Sequence, residues 1–265
     1  MGGSILSGIP YSWDEGLLIL LFVSILMVVV IILSYYKKIG IEKEFSYALI
    51  KGGTQLFIIA IFLTFLFNFE LWYFLIFLLL GLMIIVSGHT SAKRASNMPQ
   101  AYKITTPSIL IASTIILTVL AITRAMPLKP QFIVPLSGMV FGNSMAICSL
   151  SLDRLIREIR LNKTAIETAL SLGATSKQAI EEFSQLSIKT SLIPTIDSLK
   201  TLGIIFIPGA MAGLLIAGTN PIVAAEYQII VYLMIISGGI ITAIISSYLS
   251  RKKIFNEVEQ LQEWI

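Results

Sequence analysis

Cysteine and histidine are almost missing from this 265-residue chain: Cys148 and His89 each stand alone. One thiol excludes an intrachain disulfide framework. One imidazole without a thiolate partner excludes a tight metal site built by a single copy. Charge is scarce too. Asp, Glu, Lys and Arg make up 13% of the residues, against 56% hydrophobic ones, where a water-soluble domain carries about 25% charged residues. The sequence contains no G-x-x-x-x-G-K-[ST] phosphate loop and no H-E-x-x-H helix, so nucleotide binding and zinc hydrolysis by those devices are excluded. No Ser/His/Asp set and no paired intramembrane aspartates suggest themselves. No catalytic residue, no resident metal ligand set and no cofactor is assigned to this chain, and it is not read as an enzyme.

What remains is apolar sequence in runs of about 17–22 residues, long enough to cross a bilayer as helices. The runs are continuous rather than alternating, which selects helices over a barrel. The fold class is therefore an all-α, polytopic integral membrane protein. The net charge of +4 belongs to loop lysines and arginines rather than to a nucleic-acid surface. Seven spans are predicted: Gly16–Tyr36, Ala48–Phe67, Leu71–Val86, Pro107–Thr123, Gln131–Leu150, Thr201–Gly218 and Tyr227–Leu249. A polar lead precedes the first, Asn68–Glu70 turns between the second and third, and His89–Lys103 forms a polar loop in which His89 sits at a boundary turn. With the amino terminus outside and the carboxyl terminus cytoplasmic, only Arg124 and Lys129 of the 19 basic residues face outward. The positive-inside rule favours that orientation. The whole chain, 1–265, reads as one transmembrane domain, and its expected home is a bacterial or archaeal plasma membrane.

The fifth span does not stop at the membrane. Leu152, Leu155, Ile156 and Ile159 continue an apolar stripe, with Asp153, Arg154, Arg157, Glu158 and Arg160 on the other face. One helix from about Val134 to Leu161 is predicted, opening a cytoplasmic arm over 151–187. At its tip lies a short amphipathic helix, 164–173. Thr164 and Glu167 have capping-box spacing, Ile166, Ala169 and Leu170 share its apolar face, and Gly173 suits a terminating position of positive φ. Thr175 and Gln178 open the next helix by the same device. A helix bracketed so tightly is expected to dock on a partner through Ile166, Ala169 and Leu170.

Further on, Pro194 and Pro208 are expected to interrupt helix. Asp197 and Lys200, at i and i+3, are spaced to pair. Gly209, Gly213 and Ala217 form a small-residue face, open to packing within the chain or against a second copy. Polar groups within spans are costly and mark function by default. Gln55, Asn143, Met211, Glu226 and Gln228 are the candidate translocation path. Interhelical hydrogen bonding is the competing reading for Gln55 and Asn143, simple exposure to water for Glu226, and gap filling for Met211.

In order along the chain stand Lys51-Gly52 with Gln55, Gly138-Met139, Gly142-Asn143, Ser149–Arg157, Glu167-x-Ala169-x-x-x-Gly173, Leu172-Gly173-Ala174, Pro208-Gly209-x-Met211-x-Gly213 and Tyr227-Gln228-Ile229. This set resembles the FetB-type ABC transporter permeases, bacterial iron-export permeases related to plant aluminium-tolerance half-permeases. The likeness covers roughly Ser46 to Leu249 and departs from the family pattern at Thr168 and Glu226. It implies a permease working with a separate ATPase subunit that binds the ATP, two copies of the permease in the bilayer, and an exported metal ion such as iron. It also implies that the helix 164–173 is the ATPase-coupling helix. A stand-alone, ion-coupled carrier is the alternative function.

Overall fold

The computed structural model describes residues 13–265 apart from Asn68, Glu70, Ser96 and Asn97. The expected turn at Asn68–Glu70 and most of the amino-terminal lead therefore lie outside the described residues. Among the described residues nine helices follow one another: α1 (Trp13–Tyr36), α2 (Glu42–Phe67), α3 (Trp72–Arg94), α4 (Tyr102–Ile122), α5 (Pro130–Leu161), α6 (Lys163–Ser171), α7 (Ser176–Lys200), α8 (Gly209–Ile216) and α9 (Pro221–Ile254). Among the described residues no strand longer than an isolated bridge forms. Six of the helices, α1 to α5 and α9, are long and apolar enough to cross a membrane.

The chain packs as two units, Met1–Trp72 and Tyr73–Ile265. In the first, α1 is apolar on every side, as a helix meeting only lipid and other helices should be. It turns into α2 through Lys38 and Gly40, both at positive φ. Glu42 closes the turn, taking hydrogen bonds from the Ser34 hydroxyl at 2.7 Å and the Gly40 N–H at 3.3 Å.

In the second unit α5 is the central element, packed against α4, α7 and α9. Its neighbours approach closely because the interior is built from small hydroxyl residues. Ser108, Ser149 and Thr242 are buried, and each hydroxyl donates to a carbonyl one turn back in its own helix. A hydroxyl satisfied this way behaves as a small side chain, and lipid-embedded helices use small residues to bring backbones together. At the α3–α4 contact the Thr105 hydroxyl donates to the Gly88 carbonyl at 2.7 Å. His89 accordingly lies within α3, which runs on to Arg94, rather than at a boundary turn.

The sixth expected span is the main departure. Thr201–Gly218 holds only the eight-residue α8, about 12 Å long at 1.5 Å per residue. Gly203 at φ +79° turns the chain before it, and Pro208 caps it. Conversely, Pro194 does not end a helix: α7 continues through it to Lys200. The proline costs one N–H and one backbone bond, and packing of α7 on α5 and α9 holds the helix together. The path between the arm and α9 is thus discontinuous helix, α7 then α8, with a break at 201–208.

A Cβ on Gly88 would meet the backbone Cα of Thr106 at 2.8 Å, whereas one on Gly81 meets nothing within 4 Å. Gly88→Ala is expected to destabilise the bundle by about 1–3 kcal/mol through overpacking. Gly81→Ala should leave the melting temperature in detergent unchanged or raised.

Candidate functional site

Two places carry unusual chemistry for a membrane bundle. One is a cavity of about 390 Å³ between α5, α7 and α9. Asn143, Ser191, Thr195, Ser198 and Tyr232 give it polar groups, and Ile147 and Ile235 are among its apolar walls. Asn143 donates from Nδ2 to the Ile235 carbonyl at 2.8 Å, so its amide crosslinks α5 to α9 while lining the cavity. The two helices meet here because of Gly239. A Cβ at that position would run into Ile147 Cδ1 and lie 2.9 Å from Asn143 Nδ2. Neither Gly238 nor Gly239 emerged from the sequence reading, although Ser237-Gly238-Gly239 in an apolar run is the signal of close helix approach. The wall carries no charged side chain. Among the described residues no cluster of three His, Cys, Asp or Glu is arranged to hold a metal ion.

The other candidate path residues scatter. Gln228 is buried and accepts the Met211 N–H at 3.0 Å, which fixes the start of α8 against α9. Met211 is half-buried and Glu226 exposed. Gln55 is exposed and belongs to the first unit. Gly209 and Gly213 have open space where a Cβ would go, and Ala217 is exposed. The small-residue face is therefore open among the described residues.

The second place is the arm. α5 runs unbroken for 32 residues, and Leu152, Leu155, Ile156 and Ile159 are buried beyond the expected end of its span. Asn162 occupies the N-cap position of α6 but gives its side-chain N–H to the Glu158 carbonyl, and Thr164 lies inside the helix, so the Thr164–Glu167 box does not form. The box at Thr175 and Gln178 does: the Thr175 N–H donates to Gln178 Oε1 at 2.9 Å, and Gln178 N–H to Thr175 Oγ1 at 3.3 Å. Gly173 has the expected positive φ, +92°. The apolar face of α6, however, is consumed within the chain. Ile166 is 1% exposed and packs with Leu155, Ile159 and Ile180, and Ala169 and Leu170 lie against the same cluster. Ile166 is thereby closed to another protein, while Ala169 and Leu170 stay half-buried. Outward stand Thr164, Glu167 and Thr168, bracketed by Leu161 at 74% exposure and Leu172 at 84%.

The tail after α9 is a feature with no periodic signal in the sequence. Phe255 bridges Leu261, and Asn256 Oδ1 holds the intervening turn by accepting from Val258 and Gln260 N–H groups. The tail reaches both other strands of the arm. Arg160 donates to the Trp264 carbonyl at 3.1 Å, and Glu259 accepts from the Ser176 N–H at 3.0 Å and the Ser176 hydroxyl at 3.2 Å. Ser176 is the first residue of α7. Its N–H is one of the orphan donors of a helix start, and a carboxylate there also meets the positive end of the helix dipole. Glu259→Ala removes that cap, at a cost of about 1 kcal/mol by analogy with capping residues. Cleavage by trypsin after the exposed Lys177 is expected to speed up roughly fivefold, in line with that free energy.

Comparison with known proteins gives this architecture its relatives. The rice (Oryza sativa subsp. japonica) UPF0014 membrane protein STAR2 is 32% identical over 261 residues, covering 97% of this chain and 90% of its own. Protein ALUMINUM SENSITIVE 3 of Arabidopsis thaliana is 33% identical over 240 residues, covering 90% of this chain and 87% of its own. The probable iron export permease protein FetB of Escherichia coli is 33% identical over 237 residues, covering 89% and 91%. No solved structure matches the chain. The uncharacterised protein family UPF0014 matches residues 17–255, and with six helices long and apolar enough to cross a membrane among the described residues the chain belongs to this family of integral membrane proteins.

Proposed function

We propose that this chain is the permease subunit of an ATP-driven ABC transporter, that two copies work with a separate ATPase, and that the cargo is an exported metal ion such as iron. The observation that carries the reading is the arm: α5 continues out of its span as one helix and presents α6 at its tip. A helix that runs unbroken from cavity to tip moves both ends together. The missing phosphate loop makes a separate source of energy necessary for pumping. The name of one relative, a probable iron export permease, supplies the cargo and the direction. In this reading the arm is cytoplasmic, α1 begins outside, and the α7–α8 pair makes the remaining crossing.

The docking surface differs from the one its periodicity suggests. With Ile166 and Leu170 turned into the chain's own core, the ATPase meets the outward side of α6, anchored by Leu161 and Leu172 and flanked by Glu167 and Thr168. The apolar area these two leucines expose is what docking would remove from water.

Leu172→Asp is expected to abolish co-purification with the ATPase while leaving the permease inserted and its melting temperature within 2 °C or so, as for a surface change. Ile166→Asp should instead lower stability, because it buries an unpaired carboxylate. ATP-dependent metal uptake by inverted vesicles should stop when the ATPase is removed. Uptake that persists without it would favour the stand-alone carrier.

A further inference from the structure

Asp197 and Lys200 form an ion pair, 3.2 Å between Oδ1 and Nζ, with their side chains 60% and 70% exposed. Their depth makes this exposure informative. Ser198, between them, lines the same cavity as Asn143 and Ile235. Asn143 is about 18 Å along α5 from Gln131, and Ile235 about 12 Å along α9 from Tyr227, at 1.5 Å per residue. In a hydrocarbon core about 30 Å thick, the pair sits near the middle.

Charged groups at that depth face a bundle interior or water, not lipid. The adjoining segment, 201–208, leaves helical geometry. Gly203, Ile204, Ile205 and Phe206 keep their N–H groups bonded within it, and backbone of this kind at membrane depth is tolerated where protein or a water-filled cavity covers it. Beyond the break, Gly209 and Gly213 present an uncrowded backbone on the exposed side of α8. Such a face admits another helix at close range. An isologous contact places the same patch on both copies, and a patch holding one carboxylate and one ammonium is complementary to itself.

We propose that Asp197 and Lys200 line a water-filled path enclosed by two copies of this chain, and that Asp197 is the group that receives a cation there. Each copy supplies one carboxylate, held neutral by Lys200 until a cation takes the ammonium's place. With so few oxygen ligands the cation keeps most of its water or its own ligands, so the path suits a hydrated or chelated cation rather than a stripped ion. This rests on the permease reading above and names the residues of its path.

Because Cys148 is the sole cysteine, a Cys148→Ser background allows single cysteines at Asp197, Lys200 and, as a lipid-facing control, Ile229, which is 54% exposed on α9. In proteoliposomes holding the full transporter, a membrane-impermeant charged methanethiosulfonate is expected to label Asp197→Cys and Lys200→Cys at least tenfold faster than Ile229→Cys. Equal rates would overturn the water path. Ile205 stands 80% exposed in the break; oxidative crosslinking of Ile205→Cys is expected to join two copies, and a monomer under all oxidising conditions would overturn the second copy as its wall. Asp197→Asn is expected to lower ATP-dependent iron transport at least tenfold, with Lys200→Gln keeping most of it; the reverse order would overturn the role given to Asp197. Wild-type transport with unreactive cysteines would sink this proposal alone. Reactive cysteines without any ATP-dependent transport would sink the permease reading and leave the path standing.

Discussion

The structure depends on one continuous helix, α5, whose hydrogen-bond ladder lacks the bond that Pro135 cannot donate. It starts at Pro130, where a proline costs nothing because the first N–H groups of a helix have no partner anyway. It ends 32 residues later at Leu161. A helix of that length exceeds what a bilayer requires, and the surplus becomes the base of the arm. The membrane half of α5 offers Asn143 and a seam of small residues to α9, and the other half offers Leu152, Leu155, Ile156 and Ile159 to α6 and α7. No loop separates the two halves, so they form one rigid piece.

Much of this was legible in the sequence because its cause is local. Long apolar runs reveal spans, and the stripe from Leu152 to Ile159 reveals that the fifth continues. The Thr175–Gln178 box and the Asp197–Lys200 pair each involve residues three apart, and both form. What the sequence concealed was set by tertiary partners. Periodicity shows that α6 has an apolar face, but not whether that face meets its own chain or another. Ile166 turned out to serve the first purpose. The Thr164 box lost to a helix that begins one residue earlier, at Lys163. Pro194 was expected to break a helix that packing on two neighbours preserves, and the real break came after Lys200, at a glycine of positive φ.

Polar groups at membrane depth are put to different uses here. Ser149 and Thr242 return their hydrogen bonds to their own helix, and Gln228 gives its carbonyl to Met211. These groups are spent on structure. Asn143 combines a crosslink with a place on the cavity wall. Glycine sets how close the helices come: Gly88 brings α4 to α3, and Gly239 brings α9 to α5.

The tail changes the mechanics of the arm. Without it the arm would be a cantilever, fixed only where α5 and α7 leave the bundle. Arg160 and Ser176 each bond to the segment that follows α9, which closes the arm into a truss with a third leg. A load at α6 is then shared between α5 and α9, and those two helices cross at Gly239 beside the cavity. Glycine supplies no side chain to hold the helices apart at that crossing, and the Asn143 amide ties them there, so the load arrives at the cavity wall through a close and bonded contact.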